Sequence, residues 1–216
     1  MRWARLILPC LHHSLKNGFA EWPDFLSCAE TLTLRDEALL LHRNGAFKPA
    51  GIGRGRDRSQ NIGVRLDETL WFDQTNLLPG QQALWNQLQV MMAQLNRSLF
   101  LGLWELEGHF ALYPSGAFYA KHIDRFHDDD LRVVSCVVYL NPSWKKGDGG
   151  ELKIYNFKQS ADSRADSRTD SSLEHCTVIE PTAGKMVFFL SDKTEHEVLE
   201  TVLPRLSFAG WFRRRP

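Results

Sequence analysis

The chain has 216 residues and a mass of 24.8 kDa, enough for one domain with a short appendage. Hydrophobic residues make up 43% and charged residues 24%, close to the globular average, which argues against both a disordered chain and a coiled coil. Lys+Arg and Asp+Glu stand at 26 each, so the net charge is zero; a surface built to neutralise phosphates is not expected, and neither is nucleic acid as a partner.

In chain order, the first fifteen residues carry Arg2, Arg5 and a short apolar stretch, Leu6 to Leu11, broken by Pro9 and followed by His12 and His13 instead of a small-residue cleavage site. They are expected to belong to the mature protein. Pro23 to Leu41 and Leu78 to Leu103 repeat apolar residues at three- and four-residue spacing, as in Leu84, Leu88, Met91, Met92 and Leu95, which predicts two amphipathic helices packed on a flat partner. Between them Gly45 to Asp67 is Gly- and Arg-rich without periodicity and reads as a mobile loop.

From about Glu105 the texture changes. His109–Tyr113, Ala117–Ile123, Arg132–Asn141, Glu151–Phe157, Cys176–Ile179, Met186–Leu190, His196–Leu199 and Leu206–Phe212 are short runs rich in β-branched and aromatic residues, separated by turn markers such as Pro114-Ser115-Gly116 and Lys146 to Gly150. That spacing points to a sandwich or barrel. Residues 158–174 are polar and Ser/Asp/Arg-rich, a solvated insertion on one strand connection. The expected organisation is a helical support region over 1–103, with the mobile loop at 45–67, and a β core over 104–216. No window approaches eighteen or so uninterrupted apolar residues, so no membrane span is expected. Cys10, Cys28, Cys136 and Cys176 form no C-x-x-C pair and fit a reducing compartment, so the expected location is cytoplasmic.

Three features carry chemistry. His122-Ile123-Asp124 puts an imidazole and a carboxylate on one face of a strand, where both can reach one metal ion; the bland reading is a surface ion pair or turn. His196 adds a second imidazole, and the set becomes a 2-His-1-carboxylate face of the kind that binds Fe(II) and leaves three coordination positions open. Alternatively, His196 is a partly buried histidine bonded to Glu195 or Glu197. Arg205, nine residues after His196, opens a strand apolar on both faces, and a buried guanidinium there calls for an anion such as a dicarboxylate, unless it points to solvent.

The motifs Tyr113-Pro114-Ser115-Gly116, Tyr119 to Asp124, Tyr139-Leu140-Asn141, Gly149-Gly150-Glu151-Leu152, His196-Glu197-Val198, Arg205 and Trp211 together resemble the Fe(II)- and 2-oxoglutarate-dependent dioxygenases. Within them the resemblance is to the prolyl-hydroxylase branch that includes the hypoxia-inducible-factor prolyl hydroxylases and their bacterial relatives. The resemblance implies a double-stranded β-helix (a cupin-like jelly roll) with the N-terminal helices packed on its outer sheet. It implies that His122, Asp124 and His196 bind iron, and that Arg205 pairs with the distal carboxylate of 2-oxoglutarate with Tyr139 adding a hydroxyl. Tyr113 would lie near the iron-bound end of the cosubstrate, Leu152 would line the pocket, and Trp211 would lie beside the substrate. Fe(II), 2-oxoglutarate and O2 are then the cofactor and cosubstrates, with L-ascorbate as an expected reductant.

The implied activity is hydroxylation of a prolyl residue in a protein or peptide, a translation factor being one candidate, by a monomer; 2-oxoglutarate becomes succinate and CO2. The 125–130 connection is longer and more acidic than in the hypoxia branch, and His127 offers itself as an alternative ligand. Two other readings stand beside this one: a free amino acid or small-molecule hydroxylase on the same barrel, and a non-catalytic jelly-roll metal-binding module. An oxidative nucleic-acid demethylase is disfavoured by the neutral charge; Arg54, Arg56, Arg58 and Arg213 to Arg215 read as solvated surface.

Overall fold

The computed structural model describes residues 18–51, 61, 63–125, 131–155 and 176–216. In chain order these form β1 (Phe19–Trp22), α1 (Cys28–Arg43), β2 (Lys48–Pro49), β3 (Glu68–Trp71), α2 (Pro79–Leu99), β4 (Leu103–Tyr113) and β5 (Tyr119–His122). They continue with β6 (Arg132–Tyr139), β7 (Leu152–Tyr155), β8 (Cys176–Ile179), β9 (Met186–Leu190), β10 (His196–Val198) and β11 (Arg205–Arg214). All strand pairings are antiparallel. A seven-stranded sheet runs β1-β9-β6-β11-β4-β3-β2 and a four-stranded sheet runs β5-β10-β7-β8. The fold is the expected double-stranded β-helix with helices on its outer sheet.

Alternation along the strands creates two cores, because successive side chains point to opposite faces. On β11, Leu206, Phe208 and Phe212 face outward and join Leu34, Leu84, Leu88, Met91 and Leu95 of the two helices in one apolar cluster. Between the sheets a second cluster forms from Tyr113, Tyr139 and Phe189 of the large sheet with Leu152, Ile154 and Val198 of the small one. The Phe208 ring is fully buried and lies against Gly210, where an added Cβ would sit 2.6 Å from it. A glycine at that position admits the ring to the helix-side core.

The helices begin and end where local chemistry dictates. Both α1 termini differ from the expected Pro23–Leu41: Ser27 caps the first turn with a capping box to Glu30, so helix starts at Cys28. α2 opens with Pro79 at its first turn and stops at Leu99, because Phe100 takes a left-handed conformation (φ 55°). The Asn96 side chain then accepts from Leu103 N and donates to Leu103 O, each at 2.7 Å, turning the chain directly into β4. α2 has 21 residues, yet no described helix is long and apolar enough to cross a membrane.

Sequence periodicity missed β1, β2 and β3. These strands from the first hundred residues extend both edges of the large sheet, so that region supplies sheet as well as helical support. The 45–67 segment is also tied down at its described ends: Ala50 N donates to Asp67 O (2.8 Å), Leu66 N to Phe118 O (3.1 Å) and Ala120 N to Val64 O (2.8 Å). The rest of that loop, His127 and the 158–174 insertion lie outside the described residues. Arg213 departs from its reading as solvated surface. Its guanidinium pairs with Glu105 (2.7 Å) and Glu107 (3.5 Å), since its position on β11 lies opposite Glu105 of β4.

Candidate active site

Strand register brings the two expected imidazoles together. His122 ends β5 and His196 opens β10, and the two are direct antiparallel partners. Their ring centroids are 4.2 Å apart. Asp124, two residues past His122, turns its carboxylate between them, with Oδ1 3.6 Å from His122 Nε2 and Oδ2 3.8 Å from His196 Nε2. One ligand atom from each of the three lies within 4.8 Å of the others.

The main chain sets the tautomer. His122 Nδ1 lies 2.8 Å from the Ala120 carbonyl and His196 Nδ1 3.0 Å from the Thr194 carbonyl. A carbonyl only accepts, so both Nδ1 atoms carry a proton, and Nε2 is the atom each ring turns toward Asp124 as the one available to a metal. His196 therefore bonds Thr194, neither Glu195 nor Glu197. Burial, followed by the neighbouring His122, holds the His196 imidazole down to about 4. For Asp124, burial pulls upward, but His196, His122 and the Ser135 hydroxyl hold the carboxyl well below its usual range. Two imidazoles and one carboxylate, oriented by outer hydrogen bonds and open on one side, fit Fe(II).

A cavity of about 440 Å³ joins this trio to Arg205. Arg205 is only 2% exposed, so the solvent-pointing alternative is excluded. It has no ion-pair partner among the described residues; Nη1 donates to Ser207 Oγ (3.1 Å) while Nε is buried without an acceptor. A buried guanidinium without a counter-charge is costly, so the arrangement favours an anionic ligand with a carboxylate at this end of the cavity. Gly150 (φ 74°) makes room for the arginine, since a Cβ there would come 3.0 Å from Arg205 Cδ.

Tyr113 and Leu152 line the cavity, and the Tyr113 ring lies 4.8 Å from the Arg205 guanidinium. Burial pushes the Tyr113 phenol above its ordinary range. Tyr139 is fully buried 5.1 Å from the same guanidinium and is absent from the cavity wall; its hydroxyl makes no well-formed hydrogen bond. Burial pushes that phenol up to about 12, with Arg205 opposing. Trp211 lines the cavity at its outer end, stacked on Trp71 (5.8 Å, 27°), with the Arg132 guanidinium 3.8 Å over its ring.

Several cavity residues escaped the sequence reading. Arg132 reaches both Glu107 (2.7 Å) and the Asp124 carbonyl (3.3 Å), so it ties the cavity wall to the turn that carries Asp124. His109 is buried between Trp71 and Trp211 at 4.7 and 5.4 Å. Arg65 and Asp67 form a buried ion pair inside what reads as a loop. The available signal was the charged pair at i and i+2 before an apolar run, the spacing of one strand face.

Comparison with known proteins agrees with this geometry. Residues 108–213 match the family described as the 2OG-Fe(II) oxygenase superfamily. The structure of a Pseudomonas putida prolyl-4-hydroxylase is similar with a TM-score of 0.81 and 33% identity, covering 97% of this chain and 100% of that one. A Trichoplax adhaerens prolyl hydroxylase, solved with a hypoxia-inducible-factor oxygen degradation domain peptide, shares the fold (TM-score 0.79, 23% identity, 97% of this chain and 90% of that one). Mouse Egl nine homolog 1 is 30% identical over 95% of this chain and 48% of its own length. The chain spans about half the length of the Egl nine proteins it matches, at 48%, 57% and 45% for mouse, rat and human.

Proposed function

The chain belongs to the 2OG-Fe(II) oxygenase superfamily, and we propose that it hydroxylates a prolyl residue in a protein or peptide. In this reaction one atom of O2 enters the substrate as hydroxyl, the other enters succinate, and 2-oxoglutarate loses CO2. The observation that carries the reading is the buried, unpaired Arg205 guanidinium in the same cavity as the convergent His122, Asp124 and His196. A purely structural metal site has no use for a carboxylate clamp beside it, which counts against the non-catalytic module.

In this reading His122 Nε2, Asp124 and His196 Nε2 hold iron on one face. Iron with 2-oxoglutarate and O2 supplies the oxidising power when bound. The protein contributes position and charge. Arg205 and Ser207 anchor the distal carboxylate, Tyr139 packs 5.1 Å from the Arg205 guanidinium, and Tyr113 and Leu152 exclude water around the cosubstrate. Trp211 and Trp71 offer an aromatic wall where a prolyl ring packs.

A peptide is favoured over a free amino acid because the cavity continues outward to Gly51, Trp71 and Glu107, and Trp71 is 44% exposed. The 33% identity to a bacterial prolyl-4-hydroxylase over its whole length supports the same choice. A cytoplasmic protein such as a translation factor as substrate, action as a monomer, and ascorbate as the reductant that keeps iron as Fe(II) follow the family resemblance alone.

The test is succinate formation from 2-oxoglutarate with Fe(II) under air, comparing wild type with His196→Ala and Arg205→Ala. Turnover lost in both variants, followed by mass-spectrometric detection of one added oxygen on proline in treated peptides, is the expected result. Turnover unchanged in either variant, or oxygen found only on other residues, overturns the corresponding part of the reading.

A further inference from the structure

His122 is the less protected of the two histidines. It sits on β5, a four-residue strand at the edge of the small sheet, paired on one side only with β10. His196 has strand partners on both sides and the Phe189 ring at 4.6 Å. An edge strand ending at a ligand needs bracing, and a single hydrogen bond to Ala120 O fixes the position of the ring but leaves its tilt free.

The bracing comes from residues 64–67. Their backbone takes the free edge of β5: Arg65 and Tyr119 form an isolated antiparallel bridge, flanked by the Ala120–Val64 and Leu66–Phe118 hydrogen bonds. Side chains then stack in three layers. Asp67, fully buried, holds the Arg65 guanidinium by two bonds, Nε to Oδ1 at 2.7 Å and Nη2 to Oδ2 at 2.5 Å. The guanidinium lies 4.2 Å over the Tyr119 ring. The Tyr119 ring lies flat on the His122 imidazole, with centroids 3.6 Å apart and planes 14° from parallel.

We propose that Arg65 is a positioning residue for the metal: locked by Asp67, it presses the face of Tyr119 onto His122 and fixes the tilt at which that imidazole meets the ion. A planar, delocalised cation suits the task, because it stacks on a ring while its fork is held by a carboxylate. Outer partners of metal-binding histidines contribute in this way to affinity. The inference rests on the reading of His122 as an iron ligand.

The experiment titrates Co(II) into the full chain, without oxygen or 2-oxoglutarate, and follows its visible absorption together with competition by a chelator. Arg65→Gln and Tyr119→Leu are each expected to weaken Co(II) binding about tenfold and to shift the absorption band. Tyr119→Phe keeps the ring face and stays within about twofold of wild type, and the double variant R65Q/Y119L is no weaker than Y119L alone, since both act through one stack. Wild-type affinity and spectrum in R65Q and Y119L overturn the proposal, as does Y119F as weak as Y119L, which would assign the effect to the hydroxyl. Thermal melts of the metal-free proteins identify a variant that fails to fold; Y119L, which leaves the Arg65–Asp67 pair intact, then decides. His122→Ala separates the two readings: no Co(II) binding by wild type, or unchanged binding by H122A, sinks the iron site itself. Binding lost in H122A but unaltered in R65Q and Y119L sinks only the stack.

Discussion

His122 and His196 stand directly opposite each other across the β5–β10 ladder, so the spacing of the two imidazoles is a property of strand register. A one-residue slip would turn one of them to the other face of the sheet and dismantle the trio. Removing any member of it has an expected price in metal affinity. H122A, D124A and H196A should each raise the Fe(II) dissociation constant by about two orders of magnitude or more, beyond the 10- to 100-fold typical of outer partners. Anaerobic calorimetry measures this, and near wild-type binding by any of the three would remove that residue from the ligand set.

Arg205 predicts opposite effects on binding and on stability. In the proposed binding mode Arg205→Met removes two or more charge-assisted hydrogen bonds to 2-oxoglutarate, worth roughly 1.5–3 kcal/mol each, so affinity should drop at least about 100-fold. The same change removes a buried cation that has no counter-ion among the described residues, so the free protein should melt at a higher temperature than wild type. A lower melting temperature together with unchanged 2-oxoglutarate affinity would show that the guanidinium is structural.

Much of the β core was legible because it is written locally. The valine-rich run of β6, the apolar run of β9 and the His122-x-Asp124, His196, Arg205 order need no knowledge of distant residues. The unread parts are non-local. β1, β2 and β3 are two to four residues long, too short for alternation to register, and exist because β9 pairs with β1, β4 with β3, and β3 in turn with β2. Pro49, which argues against a strand, is tolerated because β2 is at the sheet edge. Arg65 looks like one more loop arginine until the fold lays it on Tyr119.

His109 should give the fold a measurable sensitivity to acid. Burial, then the nearby Arg65, holds its imidazole down to about 4, against about 6.5 in an unfolded chain. Between these values the unfolded chain takes up a proton that the native state refuses, so stability falls as pH drops from 6.5 towards 4 and levels off below. The loss amounts to roughly 3 kcal/mol over that window. His196 adds to the same window in the metal-free protein, so the informative quantity is the difference between wild type and His109→Phe. Urea melts at pH 7 and pH 4.5 should show the variant losing less stability; equal losses would mean that His109 titrates normally.

The helix-side core predicts a large, purely structural effect. Phe208→Ala empties a fully buried site between Gly210 and the helices and should cost about 3–5 kcal/mol by chemical denaturation. Gly210→Ala crowds the same ring and should also destabilise, by about 1–3 kcal/mol. Because Phe208 points away from the cavity, the folded fraction of F208A should retain its affinity for 2-oxoglutarate. Loss of that affinity in the folded fraction would show that the two faces of β11 are coupled.

Both metal-facing histidines have their Nδ1 proton fixed by main-chain carbonyls two residues earlier, Ala120 and Thr194, groups that no side-chain substitution deletes. The tautomer that presents Nε2 is therefore indifferent to drift in the surrounding side chains. Divergence in the walls of the cavity, and with it in what the protein accepts, can proceed without disturbing the protonation pattern on which metal capture depends.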